Sequence, residues 1–235
     1  GVKQTEQYLY QHMVELRKPF VVVFNKIDLA GKHKDAIIEK TALNLGIDSY
    51  QVIPVSALKG TGIADITMAI IAADPAMTLA LANAMPMYRR KIAWRTITTS
   101  SSLSAAIALS PLPVIDFFPL IANQVGMVMT IARIYQYKIT PARARELIGT
   151  FGLGMLGRSL FQQFSKFASV PGWLLSSAIA TSMTVVMGFA AIEWFEKGEL
   201  ISKDRFGQLS KELSKKTLER FKLAFKKKPC KKKLK

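Results

Sequence analysis

Short apolar runs alternate with helical spacing in the first third of the chain. Thr5 to Leu16 places Leu9, Met13 and Leu16 three or four apart, which predicts a short helix. After Pro19 comes Phe20 to Phe24, a β-branched and aromatic run of the kind found in strands buried on both faces. Asp35 to Leu45 returns to helical spacing through Ile37, Ile38, Thr41, Ala42 and Leu45, and Gly46 ends it. A second strand is expected at Tyr50 to Val55, and a second helix of this kind at Ile63 to Ala73 through Ile66, Ile70 and Ile71. Strand followed by helix, twice over, predicts a parallel α/β layer.

The pattern changes at Asp74-Pro75. Met77 to Arg95 reads as one long helix or two, ending in the cations Arg89, Arg90, Lys91 and Arg95. Thr96 to Ile115 then runs without a charge, Asp116 interrupts, and Phe117 to Ala132 is again uncharged. Arg133 to Pro171 is amphipathic and helical in spacing, with basic residues at Arg143, Arg145, Arg158 and Lys166 among others. Gly172 to Ile192 is a third uncharged stretch, stopped by Glu193.

Composition sharpens this picture in two ways. Of the 235 residues, 33 are Lys or Arg and 16 Asp or Glu, a formal net charge of +17, while half are hydrophobic, which excludes a wholly disordered chain. A net +11 of that charge lies in Lys203 to Lys235, so the basic character is mostly a tail. The single cysteine, Cys230, excludes an intramolecular disulfide framework and a Cys-based zinc site, and a reducing compartment is expected. His12 and His33 leave little for a His-rich metal site. The chain opens on Gly1-Val2 without a secretory signal, as expected of a fragment or a processed product.

Candidate chemistry is concentrated behind the two strands. Asn25-Lys26-Ile27-Asp28 follows the first, and a guanine-specific pocket needs a carboxylate that accepts two hydrogen bonds, from N1 and N2 of the base. Asp28 fits that role. Asn25 would hold the loop and approach the N7 edge, while the aliphatic stem of Lys26 covers one face of the base. Ser56-Ala57-Leu58 follows the second strand, where the Ala57 N–H would donate to O6 and Leu58 would cover the other face. Ligands of open α/β sheets bind at the carboxyl ends of the strands, where both motifs fall.

These residues resemble the last third of an Era-like GTPase domain. Asn25, Lys26 and Asp28 match the family's base-recognition motif and Ser56-Ala57 the motif that follows it, with Leu58 in place of the usual lysine. The resemblance implies a fold class of α/β, a partial P-loop G domain with parallel strands and helices, followed by an all-α hydrophobic helical domain. It implies GTP or GDP as ligand, with Mg2+ expected only alongside an N-terminal half carrying the phosphate loop and switch residues. No G-x-x-x-x-G-K-[ST] occurs in the chain, so as given it is not expected to hydrolyse GTP and no catalytic residue is assigned. The stretch from about Leu79 to Leu200 resembles a hydrophobic helical domain of unknown function found in bacterial GTPases. Arg89-Arg90, Pro111-x-Pro113-x-x-Asp116, Gln124-x-x-Met127, Ile131-Ala132-x-x-Tyr135, Pro171-Gly172 and Phe195-x-x-Gly198 carry that resemblance.

Other segments admit two readings each. Gly152-x-Gly154-x-x-Gly157-Arg158-Ser159 satisfies a dinucleotide fingerprint, but helical spacing precedes it rather than a strand, and small-residue helix packing accounts for it. Its GxxG spacings offer a nucleic-acid phosphate no charge. Gly172 to Ile192 is long enough to cross a bilayer, or to form a buried hairpin in a helical bundle. Thr96 to Ile115 is long enough too, though Ser100 to Ser102 are polar and Pro111 and Pro113 would break its end. Asp116 is either an N-cap or an acidic group at membrane depth. The tail carries Phe206, Leu209, Leu213, Phe221 and Phe225 at roughly helical spacing among lysines, which suits anionic lipid; nucleic-acid phosphates or plain solvent are the other partners of such a charge.

The expected organisation is therefore residues 1–74 as the C-terminal portion of a G domain, 75–102 a helical linker, 103–202 a hydrophobic helical domain, membrane-associated, and 203–235 a basic amphipathic tail. The expected function is guanine-nucleotide binding coupled to a membrane, at the cytoplasmic side of a bacterial inner membrane or in the cytoplasm. A different class stays open: a non-enzymatic scaffold with a degenerate G domain and a polybasic tail for lipid or nucleic acid.

Overall fold

The computed structural model describes residues 2–109, 117–151 and 172–198, together with Gln208, Glu212, Lys215, Lys216 and Glu219. Asp116, the Gly152 to Ser159 motif, Arg158, Lys166, Pro171 and Cys230 lie outside the described residues, as does most of the tail. The described chain divides into two compact units, one ending at Tyr88 and the next beginning at Arg89.

In the first unit the order is α1 (Gln4–Glu15), β1 (Val22–Phe24), α2 (Lys34–Leu45), β2 (Val52–Pro54), α3 (Ile63–Ala73) and α4 (Thr78–Ala84). β1 and β2 pair in parallel, with Val22 opposite Val52 and Phe24 opposite Pro54. Ile27, Ile38, Ala42 and Val52 form the local core, against which Val22, Phe24, Ala30 and Ile47 pack. Gly46 ends α2 in the left-handed region that favours glycine, at φ 69°, and its N–H bonds the Leu43 carbonyl.

Both strands are shorter than the apolar runs that announce them. Among the described residues β1 pairs with β2 alone, so its other edge has no strand beside it. Val23 is accordingly 39% exposed, where a strand buried on both faces was expected. α1 has no buried residue, and Tyr8, Leu9, Val14 and Leu16 face solvent. The sheet is thus a single parallel pair, well short of the three or more strands that independent stability ordinarily needs.

The second unit contains α5 (Arg89–Ala108), α6 (Phe117–Ile134), α7 (Pro141–Phe151) and α8 (Gly172–Lys197). Of the two readings of Met77 to Arg95, one helix or two, the second holds: α4 stops before Pro86 and a 3-10 turn covers Pro86–Tyr88, but the cations Arg89 to Arg95 open α5 instead of closing a helix. Proline explains the break, because it disfavours helical geometry at Met85 and cannot donate to the preceding turn. The chain also leaves helical geometry at residues 137–140, within the stretch expected to run on from Arg133.

Helices α5, α6 and α8 pack on one another around Ile92, Ile97, Met127, Ile131, Ile134, Val186 and Ile192, all almost fully buried. α8 is apolar on every side, as befits a helix surrounded by others. Gly188 lets α8 approach α5, since a Cβ there would stand 2.4 Å from Ile97 Cγ1. A polar seam crosses this core. The Thr184 hydroxyl donates to the Ala180 carbonyl at 2.9 Å, so Ser104 donates to Thr184 at 2.8 Å and accepts from Asn123 Nδ2 at 2.9 Å. Gln124 Nε2 also reaches Thr184 at 3.4 Å, and Ser177 donates to the Ala105 carbonyl.

At one end of these helices Arg90 binds both Glu193 and Glu196, and Lys197 binds Glu193 at 2.5 Å. α5 and α8 run antiparallel, so Arg90 at the start of α5 lies beside the negative end of α8, and the two glutamates lie beside the positive start of α5. Each charge sits at the disfavoured end of its own helix and at the favoured end of its neighbour. The nearby Tyr135 phenol has no hydrogen-bond partner among the described residues, and burial pushes its pKa up to about 12.

Candidate functional site

The two loops that follow β1 and β2 are held together by one side chain. Asn25 Oδ1 accepts the N–H of Lys26 at 2.7 Å and the N–H of Ala57 at 3.1 Å, tying loops 32 residues apart in sequence. Two further bonds continue the strand pairing into these loops: Val55 N–H donates to the Phe24 carbonyl and Ile27 N–H to the Val55 carbonyl, each at 2.9 Å. Lys26 turns the chain through the left-handed region at φ 61°. That turn drives Ile27 into the core at 7% exposure and leaves Asn25 and Lys26 exposed and Asp28 partly so.

The second loop is anchored by Ser56, which is buried. Its N–H donates to the Thr61 carbonyl at 3.0 Å and its hydroxyl oxygen accepts the Lys59 N–H at 3.2 Å. The Ser56 side chain also acts on Asp28 and is the main reason the Asp28 carboxyl sits below the ordinary carboxylate range, with Lys59 and Lys26 adding to it. Gly62 closes the loop at φ 78°, where a Cβ would lie 2.4 Å from the Pro54 carbonyl oxygen. Only glycine allows α3 to start so close under β2.

All six residues singled out from the sequence therefore fall at the carboxyl ends of the two strands. Hydrogen bonds link Asn25 to Lys26 and Ala57, and Ser56 lowers the pKa of Asp28. Leu58 stands apart, 89% exposed. The Ala57 N–H, expected to be a free donor, is engaged by Asn25, so an incoming acceptor would share or replace that bond. The anchoring roles of Ile27, Lys59 and Gly62 were not among the residues picked out; a buried apolar residue inside a polar tetrapeptide and a Gly-x-Gly pair after the second motif are the signals that announce them. A cleft of about 690 Å3 opens beside β1, lined by Leu9, Tyr10, Met13, Phe20 to Lys26, Thr41 and Leu45 among others. It takes in Asn25 and Lys26 but not Asp28, Ser56, Ala57 or Leu58, so it belongs to the free side of β1. Among the described residues no cluster of His, Cys, Asp or Glu is arranged to hold a metal.

Taken together, the molecule joins a small parallel α/β unit with paired polar loops to a helical bundle with a charge-paired end. The chain belongs to the family described as a domain of unknown function, DUF697, whose model matches residues 78–221. A separate similarity is to elongation factor 4 of Syntrophomonas wolfei subsp. wolfei, 36% identical over 72 residues, which is 31% of this chain and 12% of that protein. The chain thus spans about an eighth of the length of this relative. No solved structure matches.

Among the described residues one stretch, Ser176–Lys197 of α8, is long and apolar enough to cross a membrane by length and composition. Two-thirds of its most apolar window, 67%, is buried by the rest of the protein.

Proposed function

We propose that the first unit is the guanine-recognition part of a GTP-binding protein, and that the helical domain couples nucleotide state to a membrane at the cytoplasmic side of a bacterial cell. The observation that carries this reading is the Asn25 bridge. It holds an Asn-Lys-x-Asp loop and a Ser-Ala loop side by side at the ends of two parallel strands. Asp28, kept ionised by Ser56 and the neighbouring lysines, is the acceptor for base N1 and N2. The Lys26 stem and the exposed Leu58 supply the two apolar faces, and Ala57 the donor for O6. The similarity to a segment of elongation factor 4 agrees with this class.

The open edge of β1 and the solvent-facing apolar residues of α1 support the further reading that this unit is part of a larger sheet, a partial P-loop G domain. GTP or GDP is the proposed ligand. Phosphate binding, Mg2+ and hydrolysis belong to that larger assembly, and no step of them is assigned to these residues. The 1–74, 75–102, 103–202 and 203–235 organisation is kept in outline, with α5 counted whole in the helical domain and the basic tail as a second lipid contact.

The test is competition for a fluorescent GDP on the whole gene product. GTP and GDP are expected to displace the probe and ATP not to. Asp28→Asn is expected to weaken guanosine binding by about 100-fold and to favour xanthosine nucleotides, whose C2 carbonyl suits an amide donor. Equal displacement by ATP and GTP would remove the guanine assignment.

A further inference from the structure

The packing of α5, α6 and α8 places their uncharged stretches side by side. On α5 it runs from Thr96 to the helix end, on α6 from Phe117 to Ala132, and on α8 from Gly172 to Ile192. Contacts fix the register: Arg90 meets Glu193, Ile97 meets Gly188, Ser104 meets Thr184, and Asn123 meets Ser100 and Ser104. The last charges before the three stretches, Arg95, Arg133 and Glu193, therefore fall at one end of the bundle. Beyond them the three helices form a common charge-free layer, about 20 Å deep on α5 and about 31 Å on α8 at the helical rise per residue.

Two independent features suit this layer to hydrocarbon. Large apolar side chains point outward from it: Leu103 is 50% exposed, Leu109 45% and Phe118 74%. The outward hydroxyls are already satisfied within their own helices. Thr98 donates to the Trp94 carbonyl, Thr99 to Arg95, Ser102 to Thr98 and Thr130 to Gly126, each at 3.1 Å or less. Of the other polar groups of the layer, Ser104, Asn123, Gln124, Ser177 and Thr184 bond one another or backbone carbonyls inside the bundle, while the buried Ser182 hydroxyl has no partner among the described residues. Backbone and side-chain groups in lipid need such internal partners. At the charged end Glu193 and Glu196 are engaged by Arg90 and Lys197, while Arg89, Lys91, Arg95, Arg133 and Lys138 add five further cations. A positive rim at the base of an uncharged layer complements anionic lipid headgroups.

We infer that the bundle enters an anionic bilayer with the end that carries Leu109 and Phe118 first, burying Leu103, Leu109 and Phe118 in hydrocarbon and leaving the Arg90–Glu193 end at the headgroups; Asp116, next to Phe117 in sequence, bounds the α6 stretch on the leading side. This rests on the reading of the helical domain as membrane-associated and adds to it a direction, a depth and a boundary. The layer is deeper than one leaflet, about 15 Å, on all three helices, and only α8 matches the full core of about 30 Å.

The test uses the full chain carrying Cys230→Ser, with a spin label at Leu103→Cys, Ala106→Cys or Lys138→Cys, and vesicles of mixed phosphatidylethanolamine and phosphatidylglycerol. Flotation reports attachment, and relaxation by oxygen against a water-soluble nickel chelate reports depth. Labels at 103 and 106 are expected to become oxygen-accessible and nickel-protected, while 138 stays nickel-accessible. Leu103→Lys, at an exposed position that leaves the fold intact by circular dichroism, is expected to lower vesicle partition at least about tenfold. Failure to float overturns the membrane reading itself. Flotation with 103 and 106 still open to nickel keeps attachment and overturns insertion, and protection of 138 with exposure of 103 reverses the direction.

Discussion

The paired loops at the strand ends and the seam between α5, α6 and α8 are built from similar hydrogen bonds in opposite surroundings. In the seam, Ser104 and Thr184 are fully buried and their partners are all protein groups, so the network fixes how three helices meet. In the loops, Asn25 and Ala57 bond each other at the surface, where water competes and the bond adds little stability. What it adds is position: it sets two short loops at a fixed spacing. The seam serves the fold, and the loop pair presents polar groups outward.

Substitution of Gly62 breaks the comparison most severely on the loop side. Gly62→Ala sets a Cβ against the backbone oxygen of Pro54 in a left-handed conformation, and a loss of about 3 kcal/mol is expected. Hydrogen exchange at the amides of β2 and α3 would report it, with the second unit unaffected.

On the bundle side two glycines give opposite signs. Gly188→Ala collides with Ile97, which is 1% exposed and has no space to retreat, at an expected cost of about 2 kcal/mol. Gly126→Ala, in a helix interior with open space around it, is expected to stabilise by about 0.5–1 kcal/mol. Thermal unfolding by circular dichroism measures both, and equal signs would contradict the packing described. Arg90→Ala strands Glu193, whose side chain is 5% exposed, with Lys197 as its remaining partner among the described ion pairs, and is expected to cost about 1–2 kcal/mol in the same measurement.

The smallest effect is electrostatic. The Asp28 pKa is lowered in the folded protein, chiefly by the Ser56 hydroxyl, so its contribution is present at neutral pH and above the ordinary carboxylate value of about 4. It fades as the pH falls toward the lowered folded value. Ser56→Ala is expected to raise the Asp28 pKa toward the ordinary range, which an NMR titration of the carboxyl carbon reads directly.

How much of this could be read from the sequence differs between the same two regions. The strand runs and both loops were legible because local pattern determines them: a β-branched run, then a polar tetrapeptide, twice. The strand ends were not, because a strand is only as long as its partner, and Phe20 and Val21 have no hydrogen-bonded neighbour strand among the described residues. The helical stretches were legible as uncharged segments, yet Ser100 and Ser101 looked like interruptions. Both prove to be buried positions of α5, facing the seam side of the bundle. Pairs such as Arg90 with Glu193 lie 103 residues apart, and no local pattern announces them.

The loop pair joined by Asn25 is proposed to receive a guanine base. Amide NMR of the whole gene product, titrated with GDP and then with ADP, tests it most directly. GDP is expected to shift the amides of Lys26, Asp28, Ala57 and Leu58 together, with Ala57 moving as its bond to Asn25 is shared or replaced, and ADP to leave them in place. GDP binding that moves other amides and leaves these four unchanged would contradict it.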